Sequence, residues 1–306
     1  PVMVMIKRVL ALLGSGALAI LLLRQAETAA QAVRDGVQLC LTSVIPALFP
    51  FFAVSSLLVA LGAAEAAGRV LAHPFRRLFR CGGAGCAALL LGLVGGYPVG
   101  ARTAAELVRR GELSPAEGAR LLTFCNNAGP AFAIGVAGVS VFGSARTGAW
   151  LYLLHCAAAL LTGLLFCRRP LPVTAMPKRP VPPQTGLTGQ FLRAVEGAVS
   201  AMARVCGFVV FFLVLLRLAE GLIGPLPPLA AGVPELTNGI LRLTPDRRGF
   251  VTAAALLGWG GLSVHCQTAA VTAGSGIPMG RYLPAKAVQA ALSAGLAWLA
   301  APHLLP

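Results

Sequence analysis

The chain contains 306 residues, of which 57% are hydrophobic and only 11% are charged, and its formal net charge is +15. Soluble domains carry about a quarter charged residues, so this composition excludes an ordinary water-soluble protein. The basic excess does not indicate a nucleic-acid partner. The Lys and Arg residues lie in the breaks between apolar runs, where short basic loops mark the cytoplasmic side of a membrane protein.

The first predicted element is a transmembrane helix within residues 1–34. Lys7 and Arg8 precede an apolar run over residues 9–23, and several small residues follow it. A cleavable signal peptide has the same pattern, so the alternatives are a retained signal anchor and a leader that is removed. Because the rest of the chain is equally apolar, we expect a retained helix that serves insertion and scaffolding.

Further apolar runs are long enough to cross or deeply enter a bilayer. Roughly 20 helical residues at ~1.5 Å rise cross the ~30 Å hydrocarbon core, whereas a β-barrel would show alternating segments of about ten residues. We therefore predict an all-α, multi-pass protein of the bacterial cytoplasmic membrane, in contact with the lipid bilayer. The uncharged runs are residues 37–64, 82–101, 121–145, 147–167, 249–280 and 287–306, and the stretch 205–216 is expected to extend into one more helix.

A basic, proline-rich segment at residues 168–192 separates two halves of the chain. Its prolines favour an extended cytoplasmic linker. We expect a first repeat over residues 35–167 and a second over residues 193–306. The prolines are Pro170, Pro172, Pro177, Pro180, Pro182 and Pro183.

An internal repeat supports this division. Residues 95–105 read GGYPVGARTAA and residues 260–270 read GGLSVHCQTAA, with six identical positions of eleven. Each copy follows an apolar arm of about a dozen residues, at 84–95 and 249–260, which is about half a membrane thick when helical. We predict that each copy forms a re-entrant hairpin, which breaks at the Gly-Gly pair and returns as a second half helix.

Hairpin tips of this kind are suited to anions. The N–H groups at the start of the second half helix lack intrahelical partners, and the helix dipole makes this end electropositive. Pro98 suits an early helical position, and Gly95 and Gly96 allow a tight turn. Two such tips related by a pseudo-two-fold axis are the recurring plan of secondary transporters. We therefore expect two inverted repeats.

Two further polar motifs interrupt the apolar pattern. Asn126-Asn127 precedes Gly129-Pro130 inside an uncharged run, which predicts either a kinked packing helix or a broken transmembrane helix whose amides face a solute. Glu235 and Asn238 precede the second predicted hairpin. Glu235 is interpreted either as a plain loop carboxylate or, with Asn238, as a site for a coupling proton or cation.

Together, these motifs resemble the family of sporulation integral membrane proteins YlbJ, also called stage V sporulation proteins SpoVV. The resemblance covers roughly residues 35–300 and implies a nucleoside-recognition gate domain related to concentrative nucleoside transporters. It further implies uptake of dipicolinate across the outer forespore membrane of endospore-forming bacteria. The matching segments are SVIPALFPF at 43–51, GGYPVGA at 95–101, GELS at 111–114, the Asn126-Asn127 motif and GGLSVH at 260–265.

The candidate binding site combines the two Gly-Gly tips with nearby polar residues. Dipicolinate is a small planar dianion, so a buried cation such as Arg102 could hold a carboxylate, although Arg102 could also be an interfacial anchor. The coupling of transport to a proton or cation is assigned to Glu235 and Asn238. The candidate substrate-binding residues are Gly95, Gly96, Tyr97, Pro98, Arg102, Thr103, Asn126, Asn127, Gly260, Gly261, Ser263, His265 and Gln267.

We therefore predict an alternating-access carrier for a small carboxylate anion. The alternatives are a nucleoside or nucleobase transporter of the same fold and a non-transporting sporulation membrane scaffold. An intramembrane enzyme would rely on His265 with Ser263 or Ser275, but the sequence suggests no Ser-His-Asp arrangement and contains no His-Glu-x-x-His motif. The eight cysteines lack the paired spacing of a zinc site, so we expect no metal and no cofactor. Formation of a homo-oligomer is left open.

Overall fold

The computed structural model describes residues 2–61, 63–168, 171 and 186–304, which form helices joined by loops, with no β-strand among them. The predicted all-α class is thereby confirmed. In the first half the helices are α1 (Val2–Arg24), α2 (Ala26–Leu39), α3 (Ile45–Ala60), α4 (Ala63–Phe79), α5 (Gly85–Gly95), α6 (Val99–Arg109), α7 (Pro115–Leu122) and α8 (Ala145–Phe166), with π-helices at Cys40–Val44 and Ala131–Val141. In the second half they are α9 (Leu187–Ile223), α10 (Pro228–Gly232), α11 (Leu236–Leu241), α12 (Arg247–Trp259), α13 (Leu262–Thr272) and α14 (Tyr282–Leu304).

Several of these helices are long enough to cross a bilayer, as expected of a multi-pass membrane protein. Within the described residues, four segments have the necessary length and apolar composition: Ala145–Phe166, Leu187–Ile223, Arg247–Thr272 and Tyr282–Leu304. A fifth span is possible if the pair Arg8–Arg24 and Ala26–Val44 is counted together, but this pair is bent by 93°. The apolar run at residues 9–23 lies within α1, and α2 begins at Ala26; that residues 1–34 hold a retained transmembrane helix stays a prediction.

The predicted linker at residues 168–192 lies mainly outside the described residues, together with all six of its prolines. Its last residues are helical, because α9 begins at Leu187. The division of the chain into two repeats, and their inverted relation, stay predictions.

The first copy of the internal repeat folds back on itself. Gly96 adopts a φ of 75° after α5, and the chain resumes as α6 at Val99. Helices α5 and α6 then pack so closely that a Cβ atom placed on Gly92 would lie 2.9 Å from the Cα atom of Gly100. The carbonyl oxygen of Cys125 occupies the space beside both glycines. A larger residue at either position would therefore push the two helices apart.

The second copy of the repeat differs from the predicted hairpin. Helix α12 ends at Trp259 and α13 begins at Leu262, so the predicted break at Gly260-Gly261 is present. The chain does not turn back there, because Arg247–Thr272 forms one 26-residue segment with the length and composition of a membrane span. The prediction of a second re-entrant hairpin was wrong; this copy is a broken spanning helix.

The segment between α7 and the second π-helix is irregular, as Asn126-Asn127 and Gly129-Pro130 predicted. Residues 123–130 lie outside helices, and both asparagines are fully buried. The segment is held in the core by Phe124, whose ring stacks on Phe79 with 4.6 Å between the ring centroids. Of the two interpretations offered by the sequence, a broken helix therefore fits better than a continuous kinked one.

Helix α14 packs along α12 and α8, and α9 packs against α2, α3 and α13. This arrangement brings α6, α9 and α13 together around one cavity and surrounds the irregular segment with α8, α13 and α14. The three chain interruptions at residues 96–98, 123–130 and 260–261 therefore adjoin one central region.

Candidate functional site

A cavity of about 210 Å³ lies between the start of α6, the middle of α9 and α13. Three arginines contribute to its wall, and within the described part of the chain no acidic residue does. At about 30 Å³ per water molecule, the volume corresponds to roughly seven waters, which suits a small solute. We call this space the arginine cavity. Its lining residues are Pro98, Arg102, Arg109, Ala201, Arg204, Gln267, Ala270 and Val271.

The three arginines differ in how many hydrogen-bond or ion-pair partners the protein gives their guanidinium groups. Arg109 donates hydrogen bonds to the carbonyl oxygens of Val271 and Ala273 and lies 3.8 Å from a carboxylate oxygen of Glu106. Arg204 donates to the backbone and side chain of Ser200 within its own helix. Arg102 has no hydrogen-bond partner among the described residues, although a neighbouring helix packs against its guanidinium at Gly197. Arg102 is therefore the cation most available to a ligand.

A second, smaller cavity of about 50 Å³ lies on the other side of Gln267. Its wall is mostly apolar and includes Gly96, Tyr97 and Glu235. The Ser263 hydroxyl borders it with no partner among the described residues, and the Gln267 side chain also lines it. Because buried polar groups are normally paired, the Ser263 hydroxyl indicates a place where a ligand or water supplies the missing bond. We call this space the inner cavity.

Among the residues that the structure describes, only Gln267 lines both cavities. Residues 96–98, which join α5 to α6 and which we call the hairpin link, also adjoin both cavities. Pro98 borders the arginine cavity, while Gly96 and Tyr97 border the inner one. Arg102 and Gln267 occupy equivalent positions in the two copies of the repeat. The two copies therefore bring matching positions to one wall although their backbones differ.

A buried polar network lies behind the inner cavity. The Asn126 amide donates to the Thr268 hydroxyl at 2.8 Å and to the Tyr282 hydroxyl at 3.1 Å. The Tyr282 hydroxyl also lies 3.2 Å from Nδ1 of His265. His155 accepts a hydrogen bond from the backbone N–H of Ala128. The network thus ties the irregular segment to α8, α13 and α14.

Lys286 is part of this network and was missed by the sequence reasoning. It is fully buried, and its Nζ donates to the carbonyl oxygen of Asn126 at 2.9 Å and to Oε1 of Gln289 at 2.7 Å. Gln289 in turn donates to Oδ1 of Asn127. Lys286 stands at the edge of the apolar run 287–306, where a Lys is usually an interfacial anchor. The available signal was Gln289 three residues later, on the same helical face.

Three of the predicted residues make local hydrogen bonds that stabilise the backbone around them. One carboxylate oxygen of Glu235 accepts hydrogen bonds from both the backbone and side-chain nitrogens of Asn238 at 2.8 Å, so this pair caps the start of α11. Thr103 donates to the carbonyl oxygen of Val99 within α6. These contacts give Thr103 and Asn238 local structural roles.

The start of α13 does not present the free amides that the sequence predicted. Its first N–H groups, on Leu262 and Ser263, donate to the carbonyl oxygens of Val233 and Pro234 at 3.0 Å. Gly261 sits so close to this loop that a Cβ atom on it would lie 2.9 Å from the backbone nitrogen of Leu236. The positive character of the arginine cavity therefore comes from side chains, whereas Gly95, Gly260 and Gly261 shape the backbone.

Comparison with known proteins agrees with the resemblance deduced from the motifs. Residues 41–146 match a family model described as Gate: Nucleoside recognition. The chain is 27% identical over 315 residues to the sporulation integral membrane protein YlbJ of Bacillus subtilis (strain 168), and the match covers 86% of this chain and 75% of that protein. No solved structure matches the chain. The chain is thus a membrane protein that carries a gate-type segment and is similar to a sporulation protein.

Proposed function

We propose that the chain transports a small carboxylate anion by alternating access, and that the anion is dipicolinate during endospore formation. The observation that carries the proposal is the arginine cavity, where three guanidinium groups face about 210 Å³ of space and none of the described residues in its wall is acidic. The similarity to a sporulation membrane protein supports the choice of solute and the outer forespore membrane as its location.

The chemistry of the cavity suits a planar dicarboxylate. A guanidinium presents paired N–H donors that match both oxygens of a carboxylate, and Arg102 has these donors free of hydrogen-bonding partners among the described residues. Arg204 can meet the second carboxylate from α9, while Pro98 and Val271 offer apolar surface to the ring. An uncharged solute would leave the Arg102 guanidinium without a hydrogen-bond partner among the described residues, so the site favours an anion.

The arrangement of breaks supports a route from the arginine cavity to the inner cavity past Gln267. The hairpin link borders both spaces, and the irregular segment borders the inner one at Gly129. In secondary transporters broken helices form the solute site, and one bundle of helices moves against the other around it. We infer that movement of the hairpin α5–α6 against α9 and α13 exposes the solute first to one side of the membrane and then to the other.

A nucleoside carrier is the second candidate, because the family model that matches residues 41–146 is described as nucleoside recognition. The mostly apolar wall of the inner cavity would suit a nucleobase. Under this alternative the three arginines have no substrate charge to bind, which is why we place it second. A scaffold without transport activity would bind neither solute.

Uptake by purified protein in proteoliposomes separates these possibilities. We expect accumulation of labelled dipicolinate but not of labelled uridine or adenosine. The substitutions R102Q and Q267A should reduce dipicolinate uptake at least tenfold, because R102Q removes the guanidinium most available to a carboxylate and Q267A removes the amide that lines both cavities. The matched control R248Q changes an exposed arginine outside the cavity and should leave uptake unchanged.

Three outcomes would count against the proposal. Uptake of nucleosides without dipicolinate would favour the second candidate. Uptake of neither solute by correctly inserted protein would favour a scaffold. Equal loss of dipicolinate uptake in R102Q and R248Q would show that total charge, not the arginine cavity, matters.

A further inference from the structure

Lys286 is a buried cation without an acidic partner among the described residues. Its two hydrogen-bond acceptors, the carbonyl oxygen of Asn126 and the amide oxygen of Gln289, are neutral. Its third close neighbour is the ring of Tyr97, whose centroid lies 5.5 Å from Nζ. A charge buried in a membrane protein is costly and marks ion or proton pathways more often than it stabilises a fold. The position therefore requires a functional explanation.

The titratable groups that face Lys286 from the surrounding elements are tyrosines, histidines and a cysteine. None of them offsets a positive charge at neutral pH. These groups are Tyr97 in the hairpin link, Cys125 in the irregular segment, His155 on α8, His265 on α13 and Tyr282 on α14.

The network around Lys286 is incompletely paired. Within the described part of the chain, four buried polar atoms near it have no hydrogen-bond partner: Oδ1 of Asn126, Nδ1 of His155, Nε2 of His265 and Oγ of Ser293. Such unused donors and acceptors allow the same side chains to pair differently when a proton is added or removed. A purely structural network would be expected to satisfy these atoms.

Lys286 also lies close to the proposed solute route. Tyr97 lines the inner cavity, and the ammonium of Lys286 lies over the Tyr97 ring. A positive charge on Lys286 would therefore attract an anion in the inner cavity and oppose the repulsion from Glu235, which lines the same cavity. By thermodynamic reciprocity, an anion in that cavity would favour protonation of Lys286 to the same extent.

We propose that Lys286 is the coupling residue, which binds one proton when the anion moves from the arginine cavity into the inner cavity, widened beyond its about 50 Å³ by movement of the hairpin α5–α6, and releases it when the anion leaves. The Nζ lone pair takes the proton from water on the side where the anion arrives, and the ammonium returns it to water on the opposite side. Anion and proton then move together, and the empty carrier returns without an unpaired buried charge. This inference rests on the proposed function and replaces Glu235, which caps α11, as the coupling group.

Dipicolinate affinity as a function of pH tests the proposal directly. Between pH 6 and pH 9 the carboxylates of the ligand stay ionised. The wild-type affinity should fall as the pH rises. The decrease should reach about tenfold per pH unit in the range where the free protein has lost this proton and the anion-bound protein still holds it. The variant K286M should bind more weakly and without this pH dependence. The variant K286R keeps its charge throughout this range and should also lose the pH dependence. K178M, in the segment outside the described residues, is the matched control and should behave as wild type.

A second measurement without ligand keeps the test independent of the solute. The difference in unfolding temperature between wild type and K286M should change between pH 6 and pH 9, because Lys286 then binds different numbers of protons in the folded and unfolded proteins. If K286M does not fold, the comparison between wild type and K286R serves instead.

Two results would overturn the inference: an unchanged pH dependence of affinity in K286M and K286R, or an unfolding-temperature difference that stays constant over this range. Absence of dipicolinate binding by wild type, with a pH-dependent temperature difference, would reject the proposed solute and retain Lys286 as a proton-exchanging residue.

Discussion

The two copies of the internal repeat share six of eleven residues but fold differently. The first copy reverses the chain between α5 and α6, whereas the second continues from α12 into α13 within one span-length segment. Both contain the Gly-Gly pair, and both have glycine at positive φ. The glycine pair therefore permits a break but does not decide the direction of the chain after it.

The residues after the glycines explain the difference. In the first copy, Pro98 follows Tyr97, and a residue before proline is disfavoured in the α conformation, so the link lasts until Val99. In the second copy Leu262 resumes the helix immediately, and its N–H is bound by the carbonyl oxygen of Val233. An external carbonyl thus stabilises the start of α13 in line with α12.

Close packing of the first copy gives the largest predicted effect. A methyl group on Gly92 would overlap the carbonyl of Cys125 and crowd Gly100. We expect G92A to destabilise the protein by about 3 kcal/mol, at the upper end of overpacking effects, and to lower the unfolding temperature in detergent. The control is G295A in α14, where nothing lies within 4 Å and alanine should slightly stabilise the helix. Equal stability of the two variants would show that α5 and α6 do not pack as described.

The break in the second copy gives an intermediate effect. Gly261 has a φ of 87°, and a Cβ atom there would lie 2.9 Å from the backbone nitrogen of Leu236. G261A should cost roughly 2 kcal/mol, from the left-handed conformation and the close contact together. G274A is the matched control, because Gly274 has a φ of 72° and nothing within 4 Å. A smaller loss in G261A than in G274A would contradict the contact between α13 and α11.

The sequence predicted local interruptions better than long-range geometry. The breaks near Gly96, Gly260 and Asn127 follow from glycine, proline and asparagine preferences, which act within a few residues. Lys286 and its partner Asn126 are 160 residues apart, and no local pattern joins them. The same holds for the carbonyl groups that occupy the start of α13, so the prediction of free amides there failed.

In the candidate site, too, the residues in local motifs were predicted, whereas those brought in by long-range packing were not. Arg102 and Gln267 were predicted from their places in the repeat and meet at one cavity. Arg109 and Arg204 were not among the predicted site residues, because a basic residue beside an apolar run marks topology far more often than a binding site. Their contribution depends on the packing of α9 against α13, which the sequence does not encode locally.

The smallest predicted effect concerns the N-terminal ends of α5 and α12, the helices that lead into the two Gly-Gly pairs. Helix α5 begins at Gly85, and its N-cap residue Ala84 makes no side-chain cap hydrogen bond. At the start of α12, by contrast, the Asp246 carboxylate accepts a 2.7 Å hydrogen bond from the N–H of Gly249. This bond holds the pKa of Asp246 below its usual value. Stabilisation by Asp246 is therefore complete above the unfolded pKa of about 3.9 and is lost as the pH falls through the lower folded pKa.

D246A should accordingly lower the unfolding temperature slightly at pH 7, and the difference from wild type should disappear in strong acid. S144A removes a neutral cap from α8, where the Ser144 hydroxyl accepts from the N–H of Thr147, so its effect should not depend on pH through this range. Thermal unfolding of both variants between pH 2 and pH 7 makes the comparison. If the effect of D246A persisted unchanged at the lowest pH, the carboxylate would not be the group that secures α12, and the contrast with α5 would have another cause.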